Sequence, residues 1–115
     1  MRISISIGSQ IITATLNESE TAKDFASLLP LSLTMSDLFQ REKYAHLPRA
    51  ISDRGKRTKT YEVGEVVYWS PGPDVAIFYR HDAQSIPDPG IIVMGKVDSS
   101  LDALNAPGSV QIIGE

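Results

Sequence analysis

Apolar and polar side chains alternate over the first sixteen residues, the pattern of β-strands that bury one face. The apolar members occupy every second position: Ile3, Ile5 and Ile7 before the break at Gly8, and Ile12, Ala14 and Leu16 after it. A period of two places all of them on one side of an extended chain. Two such runs around a short glycine-containing break predict a β-hairpin.

The next segment changes to helical spacing. Its apolar residues lie at i, i+3, i+4 and i+7: Ala22, Phe25, Ala26 and Leu29. The candidate N-caps are Asn17, Ser19 and Thr21, and Asp24 stands three residues after Thr21, as in a capping box. Pro30 cannot extend a helix. We therefore expect one helix from about Glu20 to Leu28 or Leu29.

Short β-rich runs follow to the end of the chain. They are Leu31 to Met35, Tyr44 to Leu47, Val66 to Trp69, Val75 to Tyr79, Ile91 to Val97, and Val110 to Ile113, the last introduced by Pro107-Gly108. A short helical turn is expected from Leu101 to Leu104. About eight strands with regular turn signals predict a mainly β fold, and closure into a barrel would remove open edges. The single helix would fill one end of that barrel.

Composition narrows the class of protein. The 115 residues fit one domain, 1–115, and contain no cysteine, which suits a reducing cytoplasm. The formal charge of −3 disfavours a general nucleic-acid binder. No apolar run is long enough to span a membrane, and the alternating N-terminus lacks the apolar stretch of a signal peptide. We expect a cytoplasmic protein without nucleic-acid or membrane partners; its oligomeric state is left open.

The sequence contains no complete catalytic or metal-binding motif. A nucleophile elbow and a glycine-rich phosphate loop are both missing, and His46 and His81 are the only histidines. A metal centre needs three or four converging ligands, so we expect neither a metal nor another cofactor. The basic segment from Arg54 to Lys59 is interpreted as a solvated loop, with binding of a phosphate or an acidic partner as the alternative.

Two adjacent aromatic pairs are the candidates for a binding surface. They are Tyr68 with Trp69, and Phe78 with Tyr79. Because side chains alternate along a strand, one member of each pair faces inward. We expect Tyr68 and Phe78 to fill the barrel, and Trp69 and Tyr79 to point outward with Arg80 beside them. Arg49 is placed at the rim of this surface.

Several motifs, taken together, resemble the small bacterial cyclophilin-like proteins, a group of uncharacterised function. The resemblance covers nearly the whole chain. It is carried by Thr21-Ala22-Lys23-Asp24-Phe25-Ala26-Ser27-Leu28-Leu29-Pro30, Gly64-Glu65-Val66-Val67-Tyr68-Trp69-Ser70-Pro71-Gly72, Val75-Ala76-Ile77-Phe78-Tyr79 and Val93-Met94-Gly95-Lys96-Val97. It implies a closed cyclophilin-like barrel of about eight strands with one main helix.

The resemblance also bears on activity. Cyclophilins surround an apolar proline pocket with a catalytic arginine and with glutamine-containing strands, but Val66-Val67-Tyr68-Trp69 carries no glutamine and Arg49 lies in no matching motif. We therefore expect a non-catalytic module that binds a small molecule or an extended peptide. Its expected contacts are Arg49, Tyr68, Trp69, Phe78, Tyr79 and Arg80. The alternative is a weak or divergent peptidyl-prolyl isomerase with Phe78, Tyr68 and Arg49 in its pocket.

Overall fold

Eight antiparallel strands form one sheet that closes on itself. The computed structural model describes residues 1–105 and 108–115, so Pro107 lies outside the described residues. The strands are β1 (Arg2–Ile7), β2 (Gln10–Leu16), β3 (Leu31–Leu38), β4 (Glu42–His46), β5 (Glu65–Trp69), β6 (Asp74–Phe78), β7 (Ile92–Val97) and β8 (Gly108–Gly114). Their order around the barrel is β1-β2-β7-β5-β6-β4-β3-β8. The predicted closed, mainly β architecture is confirmed.

The alternating residues of β1 and β2 line the barrel interior. Ile5 pairs with Ile12 and Ile3 with Ala14, so the apolar positions of the two strands face the same side. All of them are buried in one apolar cluster, and Gly8 supplies the left-handed conformation (φ +59°) that the turn needs. The predicted hairpin is therefore present, with its apolar face inward.

One α-helix, α1 (Glu20–Ala26), connects β2 to β3 and is shorter than predicted. Its N-cap is Ser19, whose hydroxyl accepts a hydrogen bond from the Ala22 amide at 3.1 Å. The expected capping box does not form, because the Thr21 hydroxyl donates instead to the Ser52 carbonyl at 2.7 Å. The α-helical assignment stops at Ala26.

The turns beyond that helix are tighter. The backbone amides of Leu28 and Leu29, just before Pro30, donate to carbonyls three residues back along the chain. Further along the chain, a short 3-10 turn, Asp102–Asn105, lies one residue later than expected. Within the described ranges, neither helix has the length and apolar character required to traverse a bilayer.

The hairpin of β3 and β4 differs most from the sequence prediction. The sequence pattern predicts a strand from Tyr44 to Leu47, but β4 begins at Glu42. Leu38 pairs with Glu42 across a tight three-residue connection, Phe39 to Arg41. The sequence pattern does not reveal the start of this strand, because Glu42 and Lys43 are buried although they are charged. Their burial is tolerated because an oppositely charged side chain lies beside each of them.

A second apolar layer covers the outside of β5 and β6. It contains Tyr61, Val67, Ala76, Phe78, Ile86 and Ile91, several of them from the long connections. Phe78 was expected inside the barrel, but Ile77 and Val75 occupy the inward positions of β6, so Phe78 faces outward. Burial of both faces explains why these two strands are almost continuously apolar.

A candidate ligand-binding cleft on the outer face of the barrel

An open apolar cleft of about 230 Å³ lies on the outer face of three neighbouring strands. Its floor is formed by outward-facing side chains of β4, β5 and β6: Glu42, Tyr44, Val67, Trp69, Asp74 and Ala76. The register explains this grouping, since Tyr44 and Val67 both pair with Ala76 from opposite sides. The cleft therefore runs along β6 with one neighbouring strand on each side.

One rim of the cleft is the tight turn between β3 and β4. The Arg41 amide donates to the Leu38 carbonyl at 3.1 Å, and Phe39 and Gln40 have φ angles of 58° and 52°. Left-handed angles at both central residues define a type I′ turn over Leu38 to Arg41, and Arg41 completes a three-residue connection between the paired Leu38 and Glu42. This geometry leaves the Phe39 side chain 73% exposed beside the cleft.

The opposite rim comes from the long connection between β6 and β7. It contributes Ile86, Pro87 and Ile91. The Ile86 amide donates to the Lys59 carbonyl at 2.8 Å, and Ile91 exchanges two backbone hydrogen bonds with Thr58 at 2.9 Å each. These hydrogen bonds connect the long loop between β4 and β5 to the long loop between β6 and β7, and together the loops form one wall of the cleft.

A buried ion-pair network closes the cleft at the Arg41 end. The Arg41 guanidinium donates from Nε to Glu42 Oε1 at 3.0 Å and lies 3.5 Å from Asp82 Oδ2. It also lies 5.3 Å from the ring centroid of Tyr61 and 5.4 Å from that of Phe78. Burial raises the pKa of the Glu42 carboxyl, and Arg41 opposes that shift. The Arg41 guanidinium is therefore already paired with the carboxylates of Glu42 and Asp82.

Another carboxylate, that of Asp74, lies at the other end of the floor. It pairs with Trp69 on β5 and with His46 on β4 in the sheet register. His46 Nδ1 lies 2.6 Å from Asp74 Oδ1, and the imidazole is 74% exposed. Burial raises the pKa of Asp74, and His46 opposes that shift. Gly72 makes room for this carboxylate, because a Cβ there would lie 2.3 Å from Asp74 Cγ.

Of the six site residues expected from the sequence, Trp69 lines this cleft. Tyr68, its neighbour, lies inside the barrel, where its hydroxyl accepts a hydrogen bond from the Ile51 amide at 3.2 Å. Phe78 lies in the outer apolar layer, fully buried, with its ring stacked 4.0 Å from that of Tyr61. These two aromatic rings are packing residues in this structure.

The other three expected residues lie elsewhere on the molecule. Tyr79 was expected to point outward, but it packs against the apolar cluster inside the barrel and its hydroxyl donates to Asp37. The exposed Arg80 guanidinium lies 5.5 Å from the Tyr79 ring. Arg49 binds Asp24 of α1, with 3.0 Å between Nη2 and Oδ1. The structure therefore does not bring Arg49, Tyr79 and Arg80 together with Trp69.

Sequence reasoning missed most of the cleft. Alternation from Trp69 points to Val67 as a floor residue, but nothing in the pattern pairs them with Tyr44 or Asp74. Arg41 and Glu42 were overlooked because a polar stretch is normally exposed. A buried charged pair of this kind is recognisable only once the strand order is known.

The remaining polar features carry no convergent chemistry. The described ranges contain no group of three or more His, Asp or Glu side chains that could hold a metal ion. In the basic segment, Arg57 donates to Ser70 Oγ at 3.1 Å, and Lys59 pairs with Asp88. Arg54 and Lys56 are exposed.

Comparisons with known proteins agree with the architecture. A family model described as the cyclophilin-like family matches residues 5–113. The solution structure of a hypothetical protein from Archaeoglobus fulgidus superposes with a TM-score of 0.78 at 27% identity, covering 98% of this chain and 93% of that chain. The comparison with curated proteins finds no match. With almost the whole chain inside the family model, the chain belongs to the cyclophilin-like family.

Proposed function

We propose that the cleft between Phe39 and Trp69 binds an apolar small molecule or an apolar side chain of an extended peptide, without catalysis. The observation that carries this proposal is an open, mainly apolar concavity whose buried guanidinium, Arg41, is already paired with Glu42 and Asp82. Concave apolar surfaces with a few placed polar groups are the usual form of ligand sites.

The exposure of Phe39 supports a binding role. Its side chain is 73% exposed at the rim, and holding an aromatic residue in a left-handed conformation is unfavourable. Neither burial nor backbone preference accounts for a phenylalanine at this position, although its ring centroid lies 5.6 Å from the Arg41 guanidinium. A ligand that enters the cleft would cover the ring and recover its burial.

The closed barrel limits how a peptide could bind. Each of the eight strands in the described ranges pairs with a neighbour on both sides, so β-strand addition has no free edge to extend. A peptide would instead be held by its side chains, in contact with the half-buried Tyr44 and Trp69 of the cleft.

Trp69 provides a direct test, because it is the only tryptophan of the chain. We expect apolar ligands to change its fluorescence saturably and to raise the melting temperature. Phe39→Asn removes the rim ring and suits the left-handed backbone, so it should weaken binding several-fold without loss of stability. Ile11→Ala, at a similarly exposed apolar residue on β2, is the matched control and should bind normally. Failure of a broad set of apolar compounds and peptides to change either signal would contradict the proposal.

One observation favours prolyl isomerisation as a second candidate. A guanidinium, that of Arg41, lines an apolar cleft, and isomerisation needs an apolar slot with a donor near the imide nitrogen. We place this second because the two carboxylates neutralise the guanidinium. NMR exchange on an Ala-Pro peptide distinguishes the candidates: acceleration that Arg41→Lys abolishes and Arg49→Lys leaves intact would favour the isomerase.

We also propose that the protein acts in the cytoplasm and is related to bacterial members of its family. The absence of cysteine supports the location, whereas a solved structure similar to this chain is archaeal. Fractionation of the source cells with an antibody tests the location, and recovery outside the cytoplasm would contradict it.

A further inference from the structure

The end of the cleft opposite Arg41 contains a carboxylate that the fold leaves incompletely satisfied. Asp74 is 9% exposed and lines the cleft. Its Oδ1 atom is buried and contacts His46 Nδ1 at 2.6 Å, without the geometry of a standard hydrogen bond. A buried carboxylate needs well-placed partners, and this contact comes from a solvent-exposed side chain.

His46 is the ionic neighbour of this carboxylate, but it is not a fixed one. Its Nδ1 lies 2.6 Å from Oδ1, yet its side chain is 74% exposed. Rotation of an exposed imidazole away from Asp74 would disrupt little packing. A ligand group could therefore take the place of the imidazole on the carboxylate.

The surroundings of Asp74 determine what that group would be. Trp69 lies beside it in the sheet register, and Tyr44 lies two residues from His46 on the same strand face. Aromatic rings next to a carboxylate suit a cation with an apolar body. The Arg41–Glu42 pair lies four residues away along β4, about 13 Å at the usual strand rise, which leaves an apolar floor between the two ends.

We propose that the ligand of this cleft is a protonated amine on an apolar body, with its ammonium group bound to Asp74 and its body against the half-buried rings of Tyr44 and Trp69. The inference rests on the proposed binding function and adds the chemical class of the ligand. A free small amine and the N-terminal amine of a peptide share this chemistry.

Three matched probes test the proposal: 4-phenylbutylamine, 4-phenylbutanol and 4-phenylbutyrate, titrated against Trp69 fluorescence. We expect the amine to bind about tenfold more tightly than the alcohol, because its hydrogen bond to the carboxylate is charge-assisted. The carboxylate probe should bind most weakly. A tripeptide amide with a free or an acetylated N-terminus then distinguishes the two sources, and a free-amine preference in either series supports the proposal.

Variants connect the preference to Asp74. Asp74→Asn should make the amine and the alcohol bind equally, whereas Glu18→Gln, an exposed charge change outside the cleft, should leave the preference intact. His46→Gln removes the competing group at an exposed position and should strengthen amine binding. This second variant keeps the test valid if Asp74→Asn folds poorly.

The outcomes separate this inference from the proposed function. Equal binding of amine and alcohol to the unmodified protein would overturn the amine inference and leave the binding function standing. A tenfold preference that persists in Asp74→Asn would also overturn it. No binding of any probe would contradict both proposals.

Discussion

At the scale of single residues, two side chains at the cleft rim occupy conformations that their type disfavours. Phe39 and Gln40 both have left-handed φ angles in the β3–β4 turn, where Asn and Gly are the usual residues. The hairpin stabilises the turn, because Leu38 and Glu42 pair directly across it.

Replacing Gln40 by glycine should therefore stabilise the protein. We expect Gln40→Gly to raise the free energy of unfolding by about 0.5–1 kcal/mol, since glycine adopts φ above zero without steric cost. The measurement is urea unfolding followed by circular dichroism. The same substitution at exposed Gln111, inside β8, should lower stability instead. Destabilisation by Gln40→Gly would contradict the turn assignment.

The adjacent residues Tyr68 and Trp69 have opposite surroundings. Tyr68 is 1% exposed inside the barrel and Trp69 is half-buried in the cleft. Tyr68→Phe should cost about 1–3 kcal/mol, because the buried Ile51 amide loses its acceptor. Tyr44→Phe, at a half-buried tyrosine of the cleft, is the control and should cost less. Equal losses in thermal unfolding would argue against the inward orientation of Tyr68.

At the scale of elements, a polar clasp fixes α1 to the segment after β4. Asp24 on the helix accepts hydrogen bonds from the Arg49 guanidinium at 3.0 Å and from the Ser52 amide at 2.8 Å. The Arg49 side chain and the Ser52 amide hold the pKa of Asp24 below its usual value. Arg49 therefore has a structural role in this fold, although the sequence placed it near a ligand.

The clasp predicts a specific pH dependence. Because the pKa of Asp24 is lower in the folded than in the unfolded state, its contribution is present above the ordinary pKa of 3.8 and is lost as pH falls below that value. Asp24→Asn should lower stability by about 1 kcal/mol at pH 6 and by less at pH 3. Urea titrations at the two pH values measure this, with exposed Asp102→Asn as control. A loss that does not depend on pH would refute the clasp.

At the scale of the whole molecule, the barrel has one apolar cluster inside and a second on part of its outer face. The strands β5 and β6 lie between the two, and every residue of β6 is buried. The long connections after β4 and β6 supply the outer cover and, with it, one wall of the cleft.

Hydrogen exchange should reflect these two layers. We expect the paired amides of β5 and β6 to exchange most slowly, because opening them requires loss of both apolar clusters. The paired amides of β1, whose outer face is partly exposed, should exchange faster. NMR-detected exchange at neutral pH measures both sets, and faster exchange in β6 than in β1 would contradict this ranking.

The sequence by itself determined the strand-rich composition, the first hairpin, the approximate position of the helix and the closed barrel. The first three follow from local period and turn chemistry, which depend on neighbours along the chain, whereas the closed barrel was expected from the removal of open edges and from the family resemblance. The same reasoning misplaced the start of β4, because a buried charged strand resembles a loop when its partners are unknown.

Only the tertiary structure decided where the cleft lies. Trp69, Asp74 and Tyr44 lie close together because their strands, β5, β6 and β4, are neighbours in the barrel. No local pattern of the sequence specifies that strand order. The outward face of Phe78 was likewise set by the loops that cover it. Periodicity divides a strand into two faces, but which of them receives a second layer depends on contacts between distant segments.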